Sequence, residues 1–196
     1  MSHAAVLLAG GGSSRMGRDK SALPVNGEPL WQRQLAVLRA TEPAEIFISG
    51  KRDGPYADCG VEILADEFPD CGPLGGIATA LRRCTSERLL VLAVDMPAMT
   101  AEFLRTLLDE SQQTVRGIVP SVGALGSARG GIEPLAAVYP LAALAIADGC
   151  LRAGEFKLET FIRKLEVKGL VSVCAVADKD VERFANWNTP NDCQNS

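Results

Sequence analysis

The chain has 196 residues, 47% hydrophobic and 22% charged, and its 20 basic side chains against 24 acidic ones give a net charge of −4. The apolar share supports a sizeable core and excludes dominant disorder, and the length fits one domain spanning residues 1–196. The acidic balance argues against a general nucleic-acid or membrane-surface binder, and the longest uncharged apolar stretch, residues 134–147 with two prolines, falls short of the about 20 residues a spanning helix needs.

In chain order, short aliphatic runs alternate with helical patterns. Residues 4–9 read as a strand entering a glycine-rich loop, and residues 29–40 as a helix with Leu30, Gln34, Val37 and Leu38 on one face. Residues 45–49 and 61–64 read as strands. Gly72-Pro73 suits the start of a helix over 74–84, since proline is tolerated in a first helical turn. Residues 88–94 form the most apolar strand and the expected centre of the sheet. A helix over 101–111 carries Phe103, Leu104, Leu107 and Leu108 at helical spacing. Strands over 117–120 and 135–139 flank a glycine-rich loop, 121–131. A helix over 157–165, a strand over 170–176 and a polar end complete the chain. The alternation predicts an α/β fold: a single Rossmann-like three-layer domain with a mostly parallel central sheet flanked by helices.

Cys59, Cys71, Cys84, Cys150, Cys174 and Cys193 contain no CxxC pair, which argues against a zinc site or redox dithiol. Isolated cysteines behind a start with no basic n-region fit reduced thiols in a cytoplasmic protein. His3 is the sole histidine, which disfavours chemistry that needs a histidine base or a histidine metal cluster.

The informative segment is Leu8-Ala9-Gly10-Gly11-Gly12-Ser13-Ser14-Arg15-Met16-Gly17-Arg18-Asp19-Lys20. Glycines let backbone N–H groups approach phosphate oxygens, and Arg15, Arg18 and Lys20 add positive charge for a polyphosphate. A tight strand-to-helix turn with a solvated basic patch is the plainer alternative. Neither common phosphate loop fits. Arg18-Asp19 stand where a Walker A loop needs Lys and Ser or Thr, and Arg15 fills the third glycine position of the Rossmann fingerprint. Asp95 ends the apolar run 89–94 and should emerge at the carboxyl edge of a central strand, where ligands bind in open α/β sheets. There it could hold a hard cation or, alternatively, cap a turn before Pro97. Ser49 and Asp66, each following a predicted strand, fall on the same edge.

The pattern LAGG-x-S-x-RMG-x-DK resembles the molybdenum cofactor guanylyltransferase (MobA) family, within the nucleotidyltransferase superfamily. Asn26-Gly27-Glu28-Pro29-Leu30, Gly72-Pro73-Leu74, Asp95-Met96-Pro97, Pro134-Leu135 with Tyr139, and Asn186-Trp187-Asn188-Thr189-Pro190 continue the resemblance in order. It implies transfer of GMP from GTP to the phosphate of molybdopterin, with release of pyrophosphate. It also implies Mg²⁺ as cofactor, held by Asp95, and Arg15, Lys20 and Asp95 as catalytic residues. Leu8, Ala9, Gly10, Gly11, Lys20, Ser49, Asp66 and Asp95 would bind GTP, while Arg129, Asn186 and Asn188 would meet the acceptor. The implied partners are GTP and molybdopterin as substrates, and other molybdenum cofactor biosynthesis proteins or molybdoenzymes. No nucleic acid and no membrane are implied. Where the family often has His or Arg before the Pro-Leu pair, this chain has Glu133; Lys157, Arg163 and Lys164 offer basic alternatives. Two rival readings stay open: a CTP-dependent molybdopterin cytidylyltransferase or other nucleotidyltransferase, and a non-catalytic nucleotide-binding accessory protein.

Overall fold

A computed structural model describes residues 2–10, 21, 24–25, 27–68, 70–123 and 131–185 of the chain. Strands β1 (Ala4–Leu8) and β6 (Arg88–Ala93) are buried along their whole length, as strands covered on both faces must be. They lie side by side and parallel at the middle of a sheet ordered β10-β7-β9-β6-β1-β4-β5. Its other members are β4 (Glu45–Ser49), β5 (Glu62–Leu64), β7 (Gly117–Val122), β9 (Ala136–Pro140) and β10 (Val171–Ala175), and short β8 (Gly131–Ile132) pairs with β7. A two-stranded ribbon, β2 (Pro24–Val25) with β3 (Glu28–Pro29), leads into the first helix.

Alternation along the strands divides the core into two faces. Ala4, Val6 and Leu8 of β1, with Leu89 and Val91 of β6, pack beneath α2 (Pro73–Arg83), α4 (Ala143–Arg152) and α5 (Leu158–Val167). Ala5 and Leu7, with Leu90 and Leu92, face α1 (Leu30–Arg39) and α3 (Ala101–Thr114). The result is the expected three-layer arrangement. Thr100 starts α3 by accepting the Phe103 N–H on its hydroxyl, and α3 ends on Val115 in the left-handed conformation, φ 57°.

The sheet is mostly parallel, with β9 and β8 reversed. The Glu133 N–H donates to Pro120 O at 2.7 Å, so the chain turns back at the carboxyl edge of β7 and runs β9 between β7 and β6. Two elements differ from the sequence expectation. The uncharged run 134–147 is split: Pro140 closes β9, and the alanine-rich remainder opens α4, whose Ala143, Ala147 and Cys150 face the core. Nearly every position there is small or apolar, so no face stands out in the sequence. Ser121 and Val122 complete β7, and Gly131 belongs to β8, so the loop is shorter than 121–131. The polar end includes a 3₁₀ helix, Asp178–Phe184, whose Phe184 stacks edge-on against Phe103. Among the described residues no helix is long and apolar enough to cross a membrane.

Candidate active site

Strands β6, β1, β4 and β5 are consecutive in the sheet and parallel, so their carboxyl ends share one edge. The register pairs Leu8 with both Ala93 and Ser49, and Ser49 with Leu64. Each strand runs out at the same level, which puts Asp95, Gly10, Ser49 and Asp66 along that edge in spatial order. Four strands span about 14 Å at the usual interstrand spacing, room for an extended ligand rather than a single ion.

Hydrogen bonds between neighbouring strand ends fix this edge. Ser49 O accepts the N–H groups of Ala9 at 2.9 Å and Gly10 at 3.0 Å, and Leu64 O accepts that of Gly50 at 3.0 Å. Leu8 O accepts the Val94 N–H at 3.1 Å, tying the start of the Asp95 turn to β1. Asp66 accepts the Phe68 N–H on Oδ1 at 2.9 Å, an Asx turn that orients its carboxylate. The amino end of α2 presses against these groups through Gly75-Gly76, where a Cβ on Gly75 would stand 2.9 Å from Asp66 Oδ1. Behind Ser49, the buried Tyr56 hydroxyl accepts the Lys51 N–H at 3.0 Å and fills the space that a side chain on Gly50 would take.

Asp95 is half-buried, and the segment before β9 brings a second carboxylate near it. Burial, and then the negative charge of Asp95, push the Glu133 carboxyl up to about 7. Among the described residues no three His, Cys, Asp or Glu gather into a metal cage, so the carboxylates here are a pair. Glu133 was visible in the sequence only as an acidic residue where a basic one is usual; its proximity to Asp95 follows from the reversal of β9. His3 stands at the other end of β1, hydrogen-bonded through Nε2 to Thr41 Oγ1 at 3.0 Å, and burial lowers its pKa. The sole histidine is remote from the edge. Lys157, just before α5, and Arg163 within it are exposed, and Lys164 pairs with Glu155, so these basic side chains face solvent. Of the residues expected from the sequence, the structure brings together Leu8, Ala9, Gly10, Ser49, Asp66 and Asp95. Gly11, Arg15, Lys20, Arg129, Asn186 and Asn188 lie outside the described residues.

A strand edge with this order is common to many nucleotide-binding folds, and similarity to known proteins narrows it. The family model of the MobA-like NTP transferase domain matches residues 5–168. The chain is 38% identical over 192 residues to the probable molybdenum cofactor guanylyltransferase of Opitutus terrae, covering 96% of this chain and 92% of that one. It is 33% identical over 189 residues to the probable molybdenum cofactor guanylyltransferase of Pelotomaculum thermopropionicum, covering 95% and 88%. The crystal structure of molybdopterin-guanine dinucleotide biosynthesis protein A from Archaeoglobus fulgidus superposes with a TM-score of 0.75 at 25% identity, covering 97% of this chain and 95% of that one. With its strand edge and its sequence pattern in agreement, the chain belongs to the MobA-like NTP transferase family.

Proposed function

We propose that this chain, acting as one nucleotidyltransferase domain, is a cytoplasmic molybdenum cofactor guanylyltransferase. A phosphate oxygen of molybdopterin attacks the α-phosphorus of GTP, the bond from that phosphorus to the bridging oxygen breaks, and pyrophosphate leaves. The observation that carries the reading is the row Asp95, Leu8–Gly10, Ser49 and Asp66 on one edge of four adjacent strands, in a chain of this family. The relatives' names supply the substrates.

The attacking oxygen is ionised at neutral pH, so no general base is needed, in keeping with a histidine remote from the edge. Catalysis then rests on positioning and on neutralising charge. Ser49 and Asp66 hold the guanine nucleoside at the β4–β5 end, and the backbone of Leu8, Ala9, Gly10 and Gly11 follows the phosphates. Arg15 and Lys20 neutralise the triphosphate and the departing pyrophosphate. The donor set at the β6 end fits a divalent cation: it offers oxygen ligands only, the Asp95 carboxylate with the Glu133 carboxyl near it, and burial followed by the Asp95 charge raises the latter to about 7. Asp95 would hold Mg²⁺ there, which when bound screens the phosphate oxygens and polarises the α-phosphorus. Arg129, Asn186 and Asn188 receive the acceptor, whose product passes to other molybdenum cofactor proteins or molybdoenzymes.

Pyrophosphate release measured with each of the four nucleoside triphosphates, in the presence of molybdopterin and Mg²⁺, tests the proposal. Release with GTP above the other three is the expected outcome. Preference for CTP would move the chain to the cytidylyl reaction, and no release with any nucleotide would make it an accessory binder.

A further inference from the structure

Helix α1 should bury apolar side chains at its sheet-facing positions, and Leu30, Leu35 and Leu38 do so. Gln34 occupies the same face and is fully buried, 0% exposed. Its Nε2 donates to Met96 O, while its Oε1 has no hydrogen-bond partner among the described residues. The neighbouring Arg33, half-buried, donates from Nε to Pro97 O at 3.1 Å. Two consecutive side chains of one helix therefore grip two consecutive carbonyls, those following Asp95.

Satisfying the backbone does not account for the Gln34 contact. Met96 O already accepts the Met99 N–H at 3.1 Å, so it would stay paired without Gln34. Burying an amide whose oxygen finds no donor among the described residues costs stability, and a methionine would fill the same space without that cost. What the contact provides is location. Consecutive Cα atoms are about 3.8 Å apart, so fixing Met96 and Pro97 fixes Asp95. With Val94 bonded to Leu8 O, the turn is held from β1 on one side and from α1 on the other.

We propose that Gln34, assisted by Arg33, is a positioning residue that holds the Asp95 turn against α1 and so sets where the Asp95 carboxylate meets the cation. The proposal rests on the assignment of Asp95 made above. Gln34→Met, Arg33→Met and Asp95→Asn in the full chain are compared by melting temperature, GTP affinity in EDTA, Mn²⁺ affinity of the GTP complex by EPR, and turnover against Mg²⁺. Gln34→Met should melt at or above the wild-type temperature and bind GTP in EDTA within about twofold of wild type, since an unpaired oxygen is removed and no nucleotide contact is lost. Its Mn²⁺ affinity should fall several-fold and its kcat by about 10- to 100-fold, the scale expected of an ångström-sized misplacement. Arg33→Met should follow in the same direction with smaller effects. If Asp95→Asn loses Mn²⁺ affinity and turnover while Gln34→Met keeps both, the positioning role is wrong and the Asp95 assignment stands. If Asp95→Asn keeps both, the assignment itself fails. Should Gln34→Met melt well below wild type, Arg33→Met decides alone, and wild-type Mn²⁺ affinity and kcat in that variant overturn the proposal.

Discussion

Gly76 of α2 lies so close to Ser49 of β4 that a methyl group on Gly76 would stand 2.7 Å from Ser49 Oγ and 3.2 Å from a methyl of Leu8. The helix reaches the strand edge only because that position has no side chain. Gly76→Ala should displace Ser49 and weaken GTP binding, with a stability loss of about 1–3 kcal/mol from overpacking. Gly149→Ala, in α4 with open space around the added methyl, should instead stabilise by about 0.5–1 kcal/mol and leave GTP binding unchanged. Calorimetric titration with GTP and thermal melts of both variants check the pair.

The residues proposed for GTP gather before β7, and those proposed for the acceptor lie beyond it. Asn188→Ala and Arg129→Ala should therefore reduce molybdopterin affinity and spare that for GTP. Arg129 can meet a phosphate through two parallel hydrogen bonds, so its loss should be the larger, about tenfold or more. Paired binding curves for the two substrates measure it, and loss of GTP affinity with normal molybdopterin affinity would refute the division.

Glu45 opens β4 and receives the N–H groups of Thr85 and Ser86 and the Ser86 hydroxyl on its carboxylate. Burial pushes its pKa up, but the hydrogen bonds from Ser86 and Thr85 together outweigh it, and the net value lies below the ordinary 4.5. A depressed carboxyl stabilises the fold above its unfolded pKa and loses that contribution as pH falls through the folded one. Glu45→Gln should therefore melt below wild type at neutral pH, with the gap closing as pH drops below 4.5. A melting series from neutral to acid pH shows whether the two curves converge.

Val115, 76% exposed, takes φ 57° at the end of α3, a backbone conformation that costs a β-branched residue more than glycine. Val115→Gly should raise stability by about 0.5–1 kcal/mol, the relief of strain being partly offset by the greater freedom of glycine in the unfolded chain. Urea titration measures the midpoint shift.

The two buried strands, the helix faces and the carboxyl-edge placement of Asp95, Ser49 and Asp66 were legible in the sequence. They depend on period and on local order. Helix α4 was not, because a run of alanine, leucine and isoleucine shows no polar face to set its period. The reversal of β9, and with it the approach of Glu133 to Asp95, depends on a turn made through the Glu133–Pro120 backbone bond. No side-chain pattern encodes that. Gln34 was readable as part of the apolar face of α1; a polar residue there was the signal that the face does more than pack.

The position of β1 has a consequence for how the chain is made. It is synthesised before both of its neighbours, β4 and β6, which begin at residues 45 and 88. At about 5–20 residues per second, the aliphatic run of β1 waits roughly 4 to 17 s between its own synthesis and that of its second neighbour. Throughout that interval one of its hydrogen-bonding edges is open to any other strand. Nascent chains crowded on one messenger would pair wrongly first at Ala4–Leu8.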